Sequence, residues 1–429
     1  MDCRINKNEL SAQYKEHLKN NLLAFWNRAI DTEHGGVYTC FTNDGSRLIS
    51  TDKYIWSQGR MAWIYSRLAD DIRKGILDNF DEADAERYLA LAEKTCSFIT
   101  NNAILPQGEG VCAYLTDADG HKKESIKGKG YYTSYFVDCF VALGLAEYSR
   151  VSGDKKYLKT ALELYDRMMS YLDKGVMVSE PYPVRAGYRT HAKDMILSCV
   201  TNSLWNAAKA LSDGRRDELR EKSLYHCRTI LDTFYRPEYG VIQEMPPVDK
   251  KDEDTFLARH IMPGHALESM WFCLDILEQT GEKQDERIFD VARHSFEYGW
   301  DKQFGGMLRC SDIEGSVPPK GRVIGDAYEQ LMLETWDSKL WWPHAEALYS
   351  SLRFYFTTGD VFFFDYYSKI SAYIKKYFVN PDKKIGEWIQ ILDRRGRPMD
   401  KVVALPVKDP FHIMRDVINI IELLAPAAK

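Results

Sequence analysis

Three histidines stand in short segments whose composition suits proton transfer: His265 in PGHALE (263–268), His344 in WWPHAE (341–346) and His412 in PFHIMR (410–415). In the first, Glu268 follows His265 at i+3, and in the third Arg415 follows His412 at i+3. That spacing puts both members of a pair on one face of a helix start. Imidazole titrates near neutrality, and a carboxylate one turn away fixes its tautomer and keeps its pKa in the range a general base needs. Arg60, in DKYIWSQGR, adds a cation able to bind and stabilise oxygens that gain negative charge. Other chemistries lack a pattern. There is no HExxH, HxH or Cys pair to select zinc, so no metal is expected, and there is no P-loop, dinucleotide fingerprint or GxSxG. Glu268, Glu346 and Asp138 could serve as the paired carboxylates of an inverting glycoside hydrolase, but histidine is more prominent than carboxylate in these segments.

A repeat supplies the elements that would bring these residues together. A glycine followed by apolar residues and a turn recurs at Gly36, Gly110, Gly175, Gly240, Gly306 and Gly386, with gaps of 74, 65, 65, 66 and 80 residues. Each segment reads as a small β-hairpin. Between hairpins the chain reads as pairs of helices, for example Tyr54–Leu68 with Ala83–Ile99 and Thr133–Val151 with Lys155–Leu172, apolar residues recurring at i, i+3 and i+4. Ser152-Gly153-Asp154, Thr280-Gly281-Glu282 and Thr358-Gly359-Asp360 read as stops between helices. An N-terminal helix near Ser11–Ile30 completes six pairs. Units this long favour a closed toroid over an open solenoid, so the expected fold is all-α: an (α/α)6 barrel with short β-hairpins at one end, one catalytic domain over residues 1–429. Arg60, His265 and His412 lie 24, 25 and 26 residues after their repeat glycines, and His344 lies 38 after Gly306. All four are expected at the same mouth of the barrel.

Composition narrows the partners. A formal charge of −6 without basic clusters argues against nucleic acid or an acidic membrane. The N-terminal MDCRINKNELSAQYKEHL has no leader pattern and no apolar run approaches a membrane span, so a cytoplasmic protein is expected. Nine scattered cysteines suit buried free thiols, not a disulfide framework.

DTEHGGVYTCFTNDG, DKYIWSQGRMAWIYSRL, PGHALESMWF, GWDKQFGGM, KLWWPHAEAL, GEWIQILDRRG and PFHIMR, in that order, resemble the N-acylglucosamine 2-epimerase family over essentially the whole chain. The resemblance implies an (α/α)6 barrel and interconversion of N-acetylglucosamine and N-acetylmannosamine by inversion at C2 of a ring-opened sugar. It implies that Arg60 binds and polarises sugar oxygens and that His265 and His412 are the two proton-transfer bases. Glu268, His344, Glu346 and Arg415 occupy family-like pocket positions, and Trp56 and His191 are further expected sugar contacts. The related cellobiose 2-epimerases typically carry WWxQAE where this chain has His344, which favours the N-acyl branch. The third repeat departs from the N-acyl pattern: YRTHAKDMILSCV (188–200) stands where a Pro-Met stretch is typical. No cofactor is required by this reading, although the family often responds to ATP as an activator, and a homodimer is expected. Alternatives are an epimerase or aldose–ketose isomerase of unsubstituted sugars, or a catalytically silent sugar-binding toroid.

Overall fold

The computed structural model describes residues 5–176, 178–403 and 405–426. Cys3, and Met177 of the third hairpin segment, lie outside them. The N-terminal helix α1 (Lys7–His17) runs on through a π turn at Leu18–Leu22 into Leu23–Trp26. There follow α2 (Ile55–Arg73), α3 (Glu82–Asn102), α4 (Tyr135–Ser152), α5 (Lys155–Asp173), α6 (His191–Ala210), α7 (Arg216–Thr229), α8 (Pro263–Thr280), α9 (Arg287–Gly299), α10 (Trp341–Thr358), α11 (Val361–Tyr377) and α12 (Phe411–Leu424). The expected stops hold. Gly153, Gly281 and Gly359 end helices in the left-handed conformation, and Asp154 and Asp360 cap the helices that follow.

Even-numbered helices form the inner ring. α2 packs on α4, α4 on α6, α6 on α8, α8 on α10, α10 on α12, and α12 returns to α2. The ring is the (α/α)6 toroid expected from the repeat. Inner helices such as α4 are apolar around nearly their whole circumference. An outer helix such as α5 buries only the stripe Tyr157, Leu158, Ala161, Leu162, Leu164, Tyr165 and Met168. At one crossing the backbones touch: a Cβ on Gly59 would lie 2.3 Å from the Phe140 carbonyl oxygen, and one on Gly144 would lie 2.3 Å from that of Gly59. Only glycine fits between α2 and α4 at this point.

The hairpins form a crown over the N-terminal ends of the inner helices, with a pairing the repeat does not reveal. Residues on either side of the repeat glycine bridge to each other, as in Ile30 with Val37, Ile104 with Cys112 and Trp300 with Met307. The far strand then pairs with the next unit: Lys53–Tyr54 with Leu115–Thr116, His260–Ile261 with Ser311–Asp312, and Lys339–Leu340 with Ile391–Leu392. Amides at the starts of inner helices bond forward in the same sense, Tyr135 to Val178 and His191 to Glu244, and Lys408 closes the circle on Thr39 at 2.8 Å. Each helix start is thus set by the following repeat, which satisfies backbone groups that would otherwise be orphaned.

Candidate active site

A pocket with a cavity of about 150 Å³ opens at the crown end of the ring. Trp56, Arg60, His265, Glu268 and His412 line it, together with Glu244, Arg309 and Trp342. Pro263 occupies the first turn of α8, where its missing N–H is not needed, and places His265 immediately inside the helix. Gly264 leaves room for an indole, because a Cβ there would lie 2.5 Å from Trp342 Cζ3. The Trp342 ring neighbours both imidazoles, its centroid 4.9 Å from that of His265 and 6.1 Å from that of His412.

Each of these histidines has a carboxylate at Nδ1, and neither carboxylate sits one turn along the same helix. His265 Nδ1 is 3.0 Å from Glu244 Oε1 on the hairpin before α8, and His412 Nδ1 is 2.6 Å from Glu346 Oε1 on α10. The network therefore puts the proton on Nδ1 in both rings and leaves Nε2 as the basic atom. For His412 this agrees with an Arg60 Nη2 donor 3.5 Å from Nε2. Burial opposes a charge on His265, but the Glu244 carboxylate outweighs it and raises the imidazole pKa above its ordinary value. Burial likewise opposes ionisation of Glu346, yet Arg415 and His412 hold its carboxyl down at about 2.

Glu268 does not partner His265. It accepts from Arg415 Nη2 at 2.7 Å, and the same guanidinium bonds Glu346. Trp271 Nε1 donates to Glu346 Oε2 at 2.9 Å. Arg60 donates to Asp409 Oδ1 at 3.0 Å and stacks on Phe140, while Trp341 Nε1 donates to Asp409 Oδ2 at 3.0 Å. Glu346 and Arg415 thus stand behind the pocket surface, holding His412 and Glu268. His191 also lies behind it, fully buried, with Nδ1 3.2 Å from Glu244 Oε2 and Nε2 2.6 Å from Ser269 Oγ. The third-repeat stretch 188–200 reaches the pocket through Thr190, Ala192, Met195 and Ile196, and Tyr182, Pro183 and Val184 of the same repeat line it as well.

His344 departs from its expected place. Its ring is fully buried against Tyr373 and Phe378, with Nδ1 bonded to the Leu340 carbonyl at 2.7 Å and Nε2 accepting the Met307 amide at 2.9 Å. Burial lowers its pKa to about 3, so it is a neutral structural group facing away from the pocket. The repeat explains why. Lys53 and Lys339 are fully buried and bond Asp31 and Asp301 of their own hairpins at 2.6 and 3.1 Å. Five residues after these lysines stand Gln58 and His344. Gln58 Oε1 accepts the Val37 amide at 2.8 Å, as His344 accepts that of Met307, and Asp138 accepts that of Cys112 at 3.0 Å. All three clamp the residue paired across a repeat-glycine turn. Seven residues after the lysines come Arg60 and Glu346, which point inward. The extra helix Ala327–Thr335 lengthens the fifth unit and displaces any count made from Gly306.

Among the described residues, two groups bring potential metal-ligand atoms within 4.8 Å of one another: His191, Glu244 and His265, and Glu268, Glu346 and His412. In the second, the Arg415 guanidinium already supplies the cation between the two glutamates. In the first, both imidazole Nδ1 atoms are engaged by the one carboxylate. The eight described cysteines are free, and all but the partly buried Cys199 are buried. Among the described residues no helix is long and apolar enough to cross a membrane.

Sequence reasoning missed Glu244, Asp409, Arg309 and Trp342. A signal for Glu244 exists: it stands four residues after Gly240, as Gln390 does after Gly386, and both turn toward the start of a ring helix.

The family model for N-acylglucosamine 2-epimerase (GlcNAc 2-epimerase) matches residues 36–415. The N-acylglucosamine 2-epimerase of Bos taurus is 28% identical, covering 95% of this chain and 92% of its own length, and that of Mus musculus is 27% identical over 92% and 87%. Among solved structures, cellobiose 2-epimerase from Bacillus thermoamylovorans superposes with a TM-score of 0.74 at 18% identity, covering 97% of this chain and 100% of its own.

Proposed function

The chain belongs to the N-acylglucosamine 2-epimerase family, and from that premise we propose that it interconverts N-acetyl-D-glucosamine and N-acetyl-D-mannosamine by moving the C2 proton of the ring-opened sugar. One observation carries the proposal: a single pocket holds two imidazoles, each with its own carboxylate at Nδ1 and a basic Nε2. Inversion at carbon needs one base on each face. One Nε2 takes the C2 proton, the C–H electron pair forms the C1–C2 double bond, and the carbonyl pair moves onto the C1 oxygen. The other imidazole, protonated at Nε2, returns a proton to the opposite face, and the electrons retrace their path. The acetamido nitrogen at C2 closes the route to a ketose, which separates this reaction from an aldose–ketose isomerisation. Met195, Ile196, Met245, Met262 and Phe272 give the pocket an apolar wall that suits an acyl methyl group.

The reaction moves only protons, so exhaustive chelation leaves turnover unchanged; loss of activity restored by a divalent ion would contradict it. Cytoplasmic residence is proposed alongside on the sequence reading, and a homodimer and ATP activation on the family resemblance. The deciding experiment is proton NMR in D2O with N-acetylglucosamine, N-acetylmannosamine, glucose, mannose and cellobiose. The N-acetyl sugars are expected to interconvert with deuterium entering at C2. In His265→Asn or His412→Asn, net epimerisation falls by about 10²–10⁴-fold, while exchange survives from the epimer whose C2 hydrogen faces the remaining histidine. Near wild-type epimerisation by both variants refutes the two-base mechanism.

A further inference from the structure

The two arginines of the pocket differ in how their charge is met. Arg60 already has Asp409 as its counter-ion at 3.0 Å. Arg309, from the hairpin of the fifth repeat, is 1% exposed. Its Nη1 donates to Thr335 Oγ1 at 2.6 Å, and its Nη2 reaches the Val403 carbonyl at 3.5 Å. Its Nε–H is buried without a hydrogen-bond partner, as is that of Arg60, so the two differ in the counter-ion alone. Among the described residues no carboxylate forms an ion pair with it, unlike the other arginines of the site. A guanidinium presents five N–H donors in a fixed fork, and a buried ion is ordinarily paired. Here only neutral oxygens serve the fork, the Tyr182 hydroxyl among them, and the group lines the sugar pocket, where its charge acts on His265.

A cation neutralised in the free enzyme gains little when negative charge appears nearby; one left without a counter-ion gains most, with no reorganisation at the moment of reaction. We infer that Arg309 is the guanidinium that meets the charge developing on the C1 oxygen during proton transfer, and that the pocket prefers an anion to a neutral group at C1 because of it. The inference rests on the epimerase reading above. In the step it serves, the C2 proton goes to an imidazole Nε2, the C–H pair becomes the C1–C2 π bond, and the former carbonyl π pair becomes the enolate lone pair that Arg309 faces. Arg60 then holds the sugar and the His412 ring, and Arg309 supplies the differential stabilisation.

Two open-chain ligands separate charge from shape: 2-acetamido-2-deoxygluconate, with a carboxylate at C1, and 2-acetamido-2-deoxyglucitol, with a neutral alcohol there. Their inhibition constants are measured on the wild-type enzyme, Arg309→Met and Arg309→Lys, with Tm and kcat and KM for both epimers. The wild type is expected to bind the aldonate about tenfold or more tighter than the alditol, the scale of one charge-assisted hydrogen bond. Arg309→Met loses that preference and about 10²–10³-fold in kcat, with KM changed far less; Arg309→Lys keeps most of the preference. A purely structural Arg309 would lower Tm and weaken both ligands alike, and that result overturns the inference, as does an intact preference in Arg309→Met. Should Arg309→Met fail to fold, equal affinities of the wild type for the two ligands would overturn it unaided. A wild type that turns over neither N-acetyl sugar refutes the epimerase reading instead, so the two failures are told apart.

Discussion

The two halves of the pocket hold the same reactive group in different electrical surroundings. Around His412, two glutamates, two aspartates and two arginines form a set of buried pairs, joined by two indole N–H donors. Around His265 there is one glutamate shared with His191, a hydroxyl, and an arginine without a counter-ion. His265 is also the more open, its side chain 22% exposed against 10% for His412. In one half every arginine has a carboxylate partner before a ligand arrives, and in the other the arginine has none among the described residues. The difference suggests a division of labour in which the His412 half fixes geometry and the His265 half responds to charge.

The largest effect tests the pairing in the first half. Glu346→Ala strands Arg415 beside Glu268 and leaves His412 without its Nδ1 acceptor, so stability falls by about 3–5 kcal/mol, the cost of breaking a buried pair, measured by denaturant unfolding. A small loss would mean that solvent already reaches this network. Glu244→Gln tests the second half through pH. Glu244 raises the pKa of His265, so the stabilisation it gives is fully present below the ordinary imidazole value and is lost as pH rises through the folded value. As a base His265 must be neutral, so the acid limb of its rate profile lies above that of a free imidazole. Removing the carboxylate's charge leaves burial to dominate, and the limb moves to lower pH in kcat/KM profiles. An unmoved limb would assign it to another group.

Much of this was legible in the repeat, because counting from a glycine that begins each unit is a measure of position around a ring. It located Arg60, His265 and His412. It failed at His344, where an inserted helix breaks the count, although counting back to the buried lysine would have aligned His344 with Gln58 instead of with the reactive residues. The carboxylates were illegible for a different reason. A closed ring makes neighbours of Glu346 and His412, 66 residues apart, and of Arg60 and Asp409, 349 apart, whereas a reading along the chain offers only the residue one turn away.

Smaller effects sharpen the comparison by perturbing what surrounds both halves. Gly59→Ala drives a methyl group into the Phe140 carbonyl and costs about 1–3 kcal/mol by overpacking. Because Arg60 is the next residue, it should disturb the His412 half more than the His265 half, read as a change in the aldonate-independent part of binding. His344→Ala leaves the Met307 amide without an acceptor, for about 1–3 kcal/mol, with little selective effect on kcat. His344→Gln should cost a fraction of that, since glutamine does the same work at position 58. The pH dependence has a definite sign: His344 is neutral in the fold with a pKa of about 3, so its contribution is complete above the ordinary imidazole value and is lost as pH falls from there toward 3. Thermal unfolding of His344→Gln should be flatter across that acid range than that of the wild type.

Trp342 gives the pocket an optical voice. An indole beside an imidazole is quenched when that imidazole carries a proton, because the cation accepts an electron from the excited ring and the neutral base does not. Trp342 neighbours both histidines and is nearer His265, so its emission registers on which of the two the mobile proton rests. A chain that kept Trp342 as its dominant emitter would report epimerisation as two brightness levels, one for each direction in which the enzyme is loaded.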